Sequence, residues 1–317
     1  MNDLLAVVGA TASGKTGLGV ALARALDGEI ISADSRQLFR GMDIGTGKDL
    51  PEYEEVPYHL IDCVDPGESF SLFDFQRLAY ESVETIRCRG KFPLLVGGSG
   101  LYLDSILGGY RLVPVPENPS LREALASCSL AVLQARLKAV RPSQHNVTDL
   151  LDRDRLVRAI EIAEGEKPLL AKLPPPPPIS ALVLGIRWPR SVLRQRITQR
   201  LRQRLAEGMV EEVEGLLAAG VSHEQLYFYG LEYRFISRML RGELDRESLF
   251  QHLNHAIHHF AKRQDTWFRR MEKRGVAIVW LPGGEGLEAA ALESVEPLLA
   301  KRKKGQGVFD DNYERAD

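Results

Sequence analysis

Cysteine is scarce. Only Cys63, Cys88 and Cys128 occur, far apart and never as C-x-x-C. That spacing argues against a zinc site or a disulfide framework and suits a protein of the reducing cytoplasm. Long apolar runs are missing too. None approaches the roughly 20 residues that span a bilayer, so no membrane partner is expected. The opening MNDLLAVVGA carries Asp3 and runs straight into a Gly-rich loop, which reads as a first strand and not as a signal peptide. No heptad seam or large apolar helix face asks for a second copy, and the expectation is a monomer. Charge of one sign is not in excess: the net charge is −2, so composition does not announce a nucleic-acid binder.

What is present begins with GATASGKT at 9–16, which fits G-x-x-x-x-G-K-[ST]. A short apolar run at 4–8 precedes it and helical spacing at 16–26 follows, the strand–loop–helix setting that the motif needs. In such a loop the backbone of Gly9, Ala10, Thr11, Ala12, Ser13 and Gly14 cradles a phosphate, Lys15 adds a charge, and the Thr16 hydroxyl is placed to ligate Mg2+. The acid that usually accompanies the loop is absent. FPLLVGGSGLY at 92–102 ends its apolar run in glycine and serine, with no Asp for Mg2+, and TGKD at 46–49 is not the Asn-Lys-x-Asp guanine reader. Both absences weaken nucleotide hydrolysis without excluding a kinase.

Further strand-like runs lie at 29–33, 58–62, 92–97, 181–188 and 276–282. Helical patterns lie at 73–88, 121–139, 152–163, 192–219, 231–241 and 249–273. Alternating strands and helices predict an α/β fold with a P-loop nucleoside-triphosphate-hydrolase-like parallel sheet core over 1–112 and 179–300. A helical insertion is expected over 113–178, closed by five prolines at 174–178 that read as a stiff spacer. The tail 301–317 has no apolar period and is expected to be loose.

A second motif, ISADSRQLFRGMDIGTGKD, places Asp34 just past a strand end, where ligands gather in open α/β sheets. A carboxylate there can take a proton or meet Mg2+ through water; equally, it can cap the following turn. From Arg187 to Arg204 there are seven arginines and no acid, and a second basic stretch runs from Lys262 to Arg274. These suit a phosphate backbone as partner, or solvated helix faces paired with acids elsewhere. His252, His255 and His259 share a helix face, but no Cys or well-spaced acid completes a metal set.

These strings occur together in one family. GATASGKT, DSRQLFRGMDIGTGK, DPGESFSLFDF (65–75), LLVGGSGLYLDSIL (94–107), DRDRLVRAIEI (152–162), GLEYR (230–234) and FAKRQDTWFRR (260–270) follow in the order and spacing of the tRNA dimethylallyltransferases. The resemblance covers roughly 4 to 282. It implies transfer of a dimethylallyl group from dimethylallyl diphosphate to N6 of the adenine just 3′ of the anticodon, in tRNAs reading codons that begin with U. The P-loop would then hold the donor's diphosphate, which fits the missing acid. By the same resemblance Asp34 is the general base, and Lys15, Thr16 with Mg2+, and Arg234 act on the diphosphate. Ser35, Arg36 and Gln37 contact tRNA, with Gln37 suited to reading the base edge. Ser99, Arg122, Arg155 and Arg158 are assigned to tRNA as well, and the Arg-rich segments to its phosphates. The anticodon stem-loop would be gripped by the insertion, with the adenine extruded into the site.

The chain departs from the family pattern at Phe39, commonly Tyr, at Glu232, where many bacterial relatives have Gly, and in the proline run. Three rival readings remain at this level: a P-loop kinase or phosphotransferase, an isopentenyltransferase acting on free adenine nucleotides, and a P-loop RNA-binding module.

Overall fold

The computed structural model describes residues 3–141 and 148–310. Strands β1 (Leu4–Gly9), β2 (Gly28–Ala33), β3 (Tyr58–His59), β4 (Phe92–Gly97), β5 (Ala181–Arg187) and β6 (Ile278–Pro282) form one sheet in the order β3-β2-β4-β1-β5-β6. Every neighbouring pair is parallel. β1 is central and buried at all six positions. Its Leu4, Ala6 and Val8 join one apolar cluster and its Leu5 and Val7 the other, because successive side chains leave a strand on opposite faces.

One face is covered by α1 (Lys15–Ala25) and α12 (Leu287–Asp310), through Leu18, Leu22, Ala291 and Val295. The other carries α2 (Leu72–Cys88), α3 (Gly100–Leu107), α7 (Arg190–Ala206), α8 (Met209–Ala218), α9 (His223–Tyr229), α10 (Leu231–Leu240) and α11 (Arg246–Lys273). Helix starts follow the capping residues. Ser71 and Asp74 form a capping box on α2, Ser222 and Gln225 another on α9, and Asp245 caps α11.

Several boundaries differ from the sequence reading for local reasons. The strand expected over 58–62 pairs only at Tyr58 and His59, because Leu60 and Asp62 take left-handed φ of 61° and 54° and turn the chain away. The long helix expected over 192–219 breaks at Gly208, φ 102°, into α7 and α8. Periodicity does not anticipate α9, although its capping box is written in Ser222–Gln225.

Residues 1–109 with 178–317 make one compact unit, and 110–177 a second. The second consists of α4 (Pro119–Leu125), α5 (Leu130–Val140) and α6 (Arg153–Leu170) around Leu125, Leu133, Leu137, Leu156 and Ile160. The helix expected over 121–139 is divided here into α4 and α5, with Ser129 accepting the Val132 N–H as the new cap. α12 carries helical backbone to Asp310, into the stretch expected to be loose, while 311–317 lie outside the described residues. Among the described residues no helix is long and apolar enough to cross a membrane.

Candidate active site

β1 ends at Gly9 and α1 begins at Lys15, with Gly14 between them at φ 90° and Ala12 at φ 61°. The turn closes tightly: a Cβ on Gly9 would lie 2.6 Å from Ser13 Oγ. α1 has no side-chain cap and no acid in its first turn. The amides that open the helix, and the positive end of its dipole, are thus left for an anion. Not every amide of the loop is available. The Ser13 N–H donates to Ala10 O at 3.2 Å, and the Thr11 N–H to Gln264 Oε1 at 2.8 Å. The buried Ser13 hydroxyl has no partner among the described residues. Lys15 is half-buried; burial pushes its ammonium pKa down to about 8, with Asp34 opposing and Arg200 and Arg204 adding to the fall.

The Arg-rich helix is the main correction to the sequence reading. Arg196, Arg200 and Arg204 stand four residues apart and so share one face of α7. That face looks onto the P-loop across a cleft of about 320 Å³, with Asp49 and Glu52 on its wall. These three arginines thus line the cleft at the cradle. Arg196 Nε donates to Ala12 O at 2.8 Å, and its guanidinium lies 4.4 Å from the Trp188 ring. The Trp188 indole in turn donates to Ser13 O at 2.9 Å. Arg200 is ion-paired with Asp49. Arg204 lies 3.6 Å from the same carboxylate; its side chain is only 11% exposed and its Nη2 has no hydrogen bond. Their four-residue spacing was the available signal.

Asp34 leaves β2 at the same sheet end as the cradle. Its Oδ1 accepts the Arg36 N–H at 3.0 Å, so part of the carboxylate does hold the turn, as the capping reading expects. Ser99 joins this turn to the end of β4: its N–H donates to Ala33 O at 3.1 Å and its Oγ accepts the Ser35 N–H at 2.9 Å. Gln37 does not have the freedom that base reading requires. It is buried, its Oε1 accepts from Ser32 Oγ at 2.9 Å, and its Nε2 donates to Gly47 O at 2.9 Å. It braces the loop.

That loop is fixed from three sides. The Glu212 carboxylate accepts the N–H groups of Asp43, Ile44 and Gly45 at 2.8, 2.6 and 2.9 Å, and the Tyr233 hydroxyl at 2.7 Å. Fully buried Lys48 donates to Phe39 O at 2.8 Å and to Asp43 at 2.6 Å, and pairs with Asp62. Asp49, which holds Arg200, follows directly. Phe39 fills its place as a hydrocarbon, its ring 4.8 Å from that of Tyr229.

GLEYR lands differently from its assignment. Tyr233 is buried, so Arg234, one position on, faces outward; it is exposed and donates to Tyr227 O at 3.0 Å. Arg234 is not among the residues that line the P-loop cleft. Glu232 instead lines a small pocket beside Thr11, Ala12, Arg200 and Arg204. Burial raises its carboxyl pKa, with Arg204 and Arg36 opposing. Arg36 lies 5.2 Å from the ring of exposed Phe228.

In the second unit, Arg122 and Arg158 both close on the buried Glu161 carboxylate. Arg122 donates at 2.7 and 3.0 Å, and Arg158 at 3.0 Å to Glu161 and 2.8 Å to Val115 O. Burial alone would raise the Glu161 carboxyl; Arg122, the Asn118 N–H and Arg158 overcome this and hold it at about 2. Both arginines therefore have internal work, whereas Arg155 is 64% exposed, 3.9 Å from Asp152.

No group of three or more His, Cys, Asp or Glu side chains suited to a metal occurs among the described residues. The His255 and His259 rings lie 4.5 Å apart, tilted by 50°, beside His258 in a groove with Arg190, Arg194 and Lys262.

A parallel sheet with a phosphate loop after β1, a carboxylate after β2 and no acid after β4 is a P-loop core equipped for group transfer from a phosphorylated donor. The IPP transferase family model matches residues 37–271. "tRNA dimethylallyltransferase 2" of Syntrophotalea carbinolica is 62% identical over 89% of this chain and 94% of its own length. "tRNA dimethylallyltransferase 1" of Geotalea uraniireducens is 57% identical over 91% and 95%. The solved full-length tRNA isopentenylpyrophosphate transferase of Bacillus halodurans superposes with a TM-score of 0.70 at 31% identity, covering 97% of this chain and all of its own. The chain belongs to the IPP transferase family, among the tRNA dimethylallyltransferases.

Proposed function

We propose that this protein transfers the dimethylallyl group of dimethylallyl diphosphate to N6 of the adenine 3′-adjacent to the anticodon in tRNAs reading codons that begin with U. The observation that carries the reading is the pairing of a phosphate cradle faced by four cations (Lys15, Arg196, Arg200, Arg204) with the Asp34 carboxylate at one sheet end, and no acid in the turn directly after β4.

The adenine N6 lone pair is delocalised into the ring, so the amine is a weak nucleophile. As N6 bonds to C1 of the donor, the C1–O bond breaks, the diphosphate takes the electron pair, and the N6 proton passes to Asp34. The growing charge on the diphosphate is met by Lys15, the opening amides of α1 and the α7 arginines, which are fixed before reaction. Asp49, on the loop held by Glu212 and Lys48, keeps Arg200 and Arg204 in place, and Ala12 O with the Trp188 ring keeps Arg196.

The residues suit Mg2+. The Thr16 hydroxyl lies in the first turn of α1 at the cleft, and among the described residues no carboxylate cage surrounds it, which matches an ion that takes most of its ligands from phosphate oxygens and water. When bound, it supplies further neutralisation of the leaving group. The RNA side of this site is assigned to Ser35, Arg36 and Ser99; on the second unit, taken by itself, exposed Arg155 is assigned to tRNA. The reading also takes the enzyme as a cytoplasmic monomer.

The test is incubation with Mg2+, dimethylallyl diphosphate and an anticodon stem-loop, without ATP. The RNA should gain one prenyl group, recovered after digestion as N6-dimethylallyladenosine at the position after the anticodon. No gain, with turnover of ATP or of free AMP, would favour the kinase or free-nucleotide readings instead.

A further inference from the structure

α11 buries an apolar stripe of Leu249, Leu253, Ile257, Ala261, Phe268 and Met271, and the one polar member of its buried face is Gln264. A buried amide needs both ends satisfied. Here Oε1 accepts the Thr11 N–H at 2.8 Å, and Nε2 donates to Gly98 O at 2.9 Å. These partners fix which end is oxygen and which is nitrogen.

The partners belong to opposite halves of the site. Thr11 is in the phosphate cradle. Gly98 is in the turn after β4, which continues into Ser99, whose hydroxyl accepts the Ser35 N–H beside Asp34. The packing at the join is close. A Cβ on Gly98 would lie 2.5 Å from Gln264 Nε2 and 3.5 Å from Lys15 Cε. One side chain thus spans from the donor's phosphate loop to the segment carrying the general base. No other side chain of α11 is hydrogen-bonded to either turn among the described residues.

We infer that Gln264 is a positioning residue: its amide sets the separation between the cradle and the Asp34 segment, and with it the approach of N6 to the donor carbon. Its side chain is buried and does not line the cleft at the cradle. Only the identity of the substrates rests on the proposed function; the brace itself does not. Misplacing reacting groups by about 1 Å can cost on the order of 10²-fold in rate, so a brace of this kind should show in kcat.

The experiment uses the full chain with Gln264→Glu and Gln264→Leu. Three readouts are taken across pH: kcat with each KM for prenyl transfer, the affinity for inorganic diphosphate, and the thermal midpoint. Gln264→Leu should lower kcat roughly tenfold or more, and weaken diphosphate binding less, because only one cradle contact is lost. Gln264→Glu is the diagnostic variant. Ionised, its carboxylate still accepts from Thr11 but repels Gly98 O. Protonated, it accepts from Thr11 and donates to Gly98, reproducing the amide. Burial pushes a carboxyl there above its usual ~4.3, with the nearby Lys15 ammonium opposing. Its activity relative to the native protein should therefore rise about tenfold as pH falls from about 8 to about 6, and its diphosphate affinity should recover in parallel.

A pH-independent ratio in a folded Gln264→Glu protein, or undiminished kcat in Gln264→Leu, would overturn the inference. If the native protein prenylates no RNA but diphosphate affinity follows the stated pattern, the proposed function fails and the brace stands. If affinity is indifferent to both variants, the brace fails whatever the reaction.

Discussion

Gly47 and Arg204 are packed so closely that a Cβ on Gly47 would lie 1.5 Å from Arg204 Nη2. Gly47 also holds φ at +62°, a conformation that costs other residues about 1–2 kcal/mol. Its lack of a side chain is what lets the guanidinium lie down beside Asp49, facing the cradle. Gly47→Ala should therefore push Arg204 aside and raise the KM for the prenyl donor by roughly tenfold, the loss of one charge-assisted contact. Steady-state kinetics with RNA saturating checks this; an unchanged donor KM would remove Arg204 from the diphosphate site.

The α7 arginines and Arg234 can be separated in the same assay. Arg200→Gln should raise the donor KM by about 10- to 100-fold, since it removes a cation from the cleft wall and leaves Asp49 with Arg204 as its cationic partner. Arg234→Ala should change the donor KM little, because that side chain is exposed and tied to Tyr227 O. The reverse order of effects would restore the family-based assignment.

Burial brings the Lys15 ammonium to about 8. Donor binding needs the charged form, so kcat/KM for the donor should fall as pH rises through about 8. Stability moves the other way. The folded protein holds this proton less tightly than the unfolded chain does, so the charged lysine costs stability below about 8, and that cost is relieved as pH rises toward 10.5. Lys15→Met should thus abolish transfer while leaving the thermal midpoint at pH 7 unchanged or higher.

Asp34→Asn keeps an oxygen to accept the Arg36 N–H and so preserves the turn, but it cannot take the N6 proton. Transfer should fall by roughly 10²- to 10⁴-fold with RNA affinity nearly intact. Equal loss of both would make Asp34 structural.

In the second unit, Glu161→Gln removes the charge that Arg122 and Arg158 share. It should destabilise that unit by about 3 kcal/mol, somewhat less if the half-exposed arginines find water. The carboxyl's pKa is depressed, so its contribution is complete above its unfolded value of about 4.3 and is lost as pH falls through about 2. Thermal or denaturant unfolding across acid pH reads this directly.

Much of the architecture was legible in the sequence because its signals are local. GATASGKT with its flanking strand and helix places the cradle, and the apolar runs at 4–8, 92–97 and 181–188 mark the buried central strands. What escaped depends on rotation about helix axes and on long-range partners. Whether Arg204 faces RNA or the P-loop turns on how α7 packs, and the choice between Glu232 and Arg234 turns on which neighbour of buried Tyr233 looks inward. Gln37 looks like a base reader until Ser32 and Gly47 are seen to occupy its amide. Gln264 gave no sign at all, since its partners lie 253 and 166 residues away.

The central claim is that the P-loop holds a leaving group and not a nucleotide. It is tested most directly by counting products in one reaction of the purified protein with Mg2+, dimethylallyl diphosphate and the stem-loop RNA. The account predicts one inorganic diphosphate released for each prenyl group gained by RNA, with no dependence on ATP. Release of orthophosphate or ADP, or an absolute need for ATP, would contradict it.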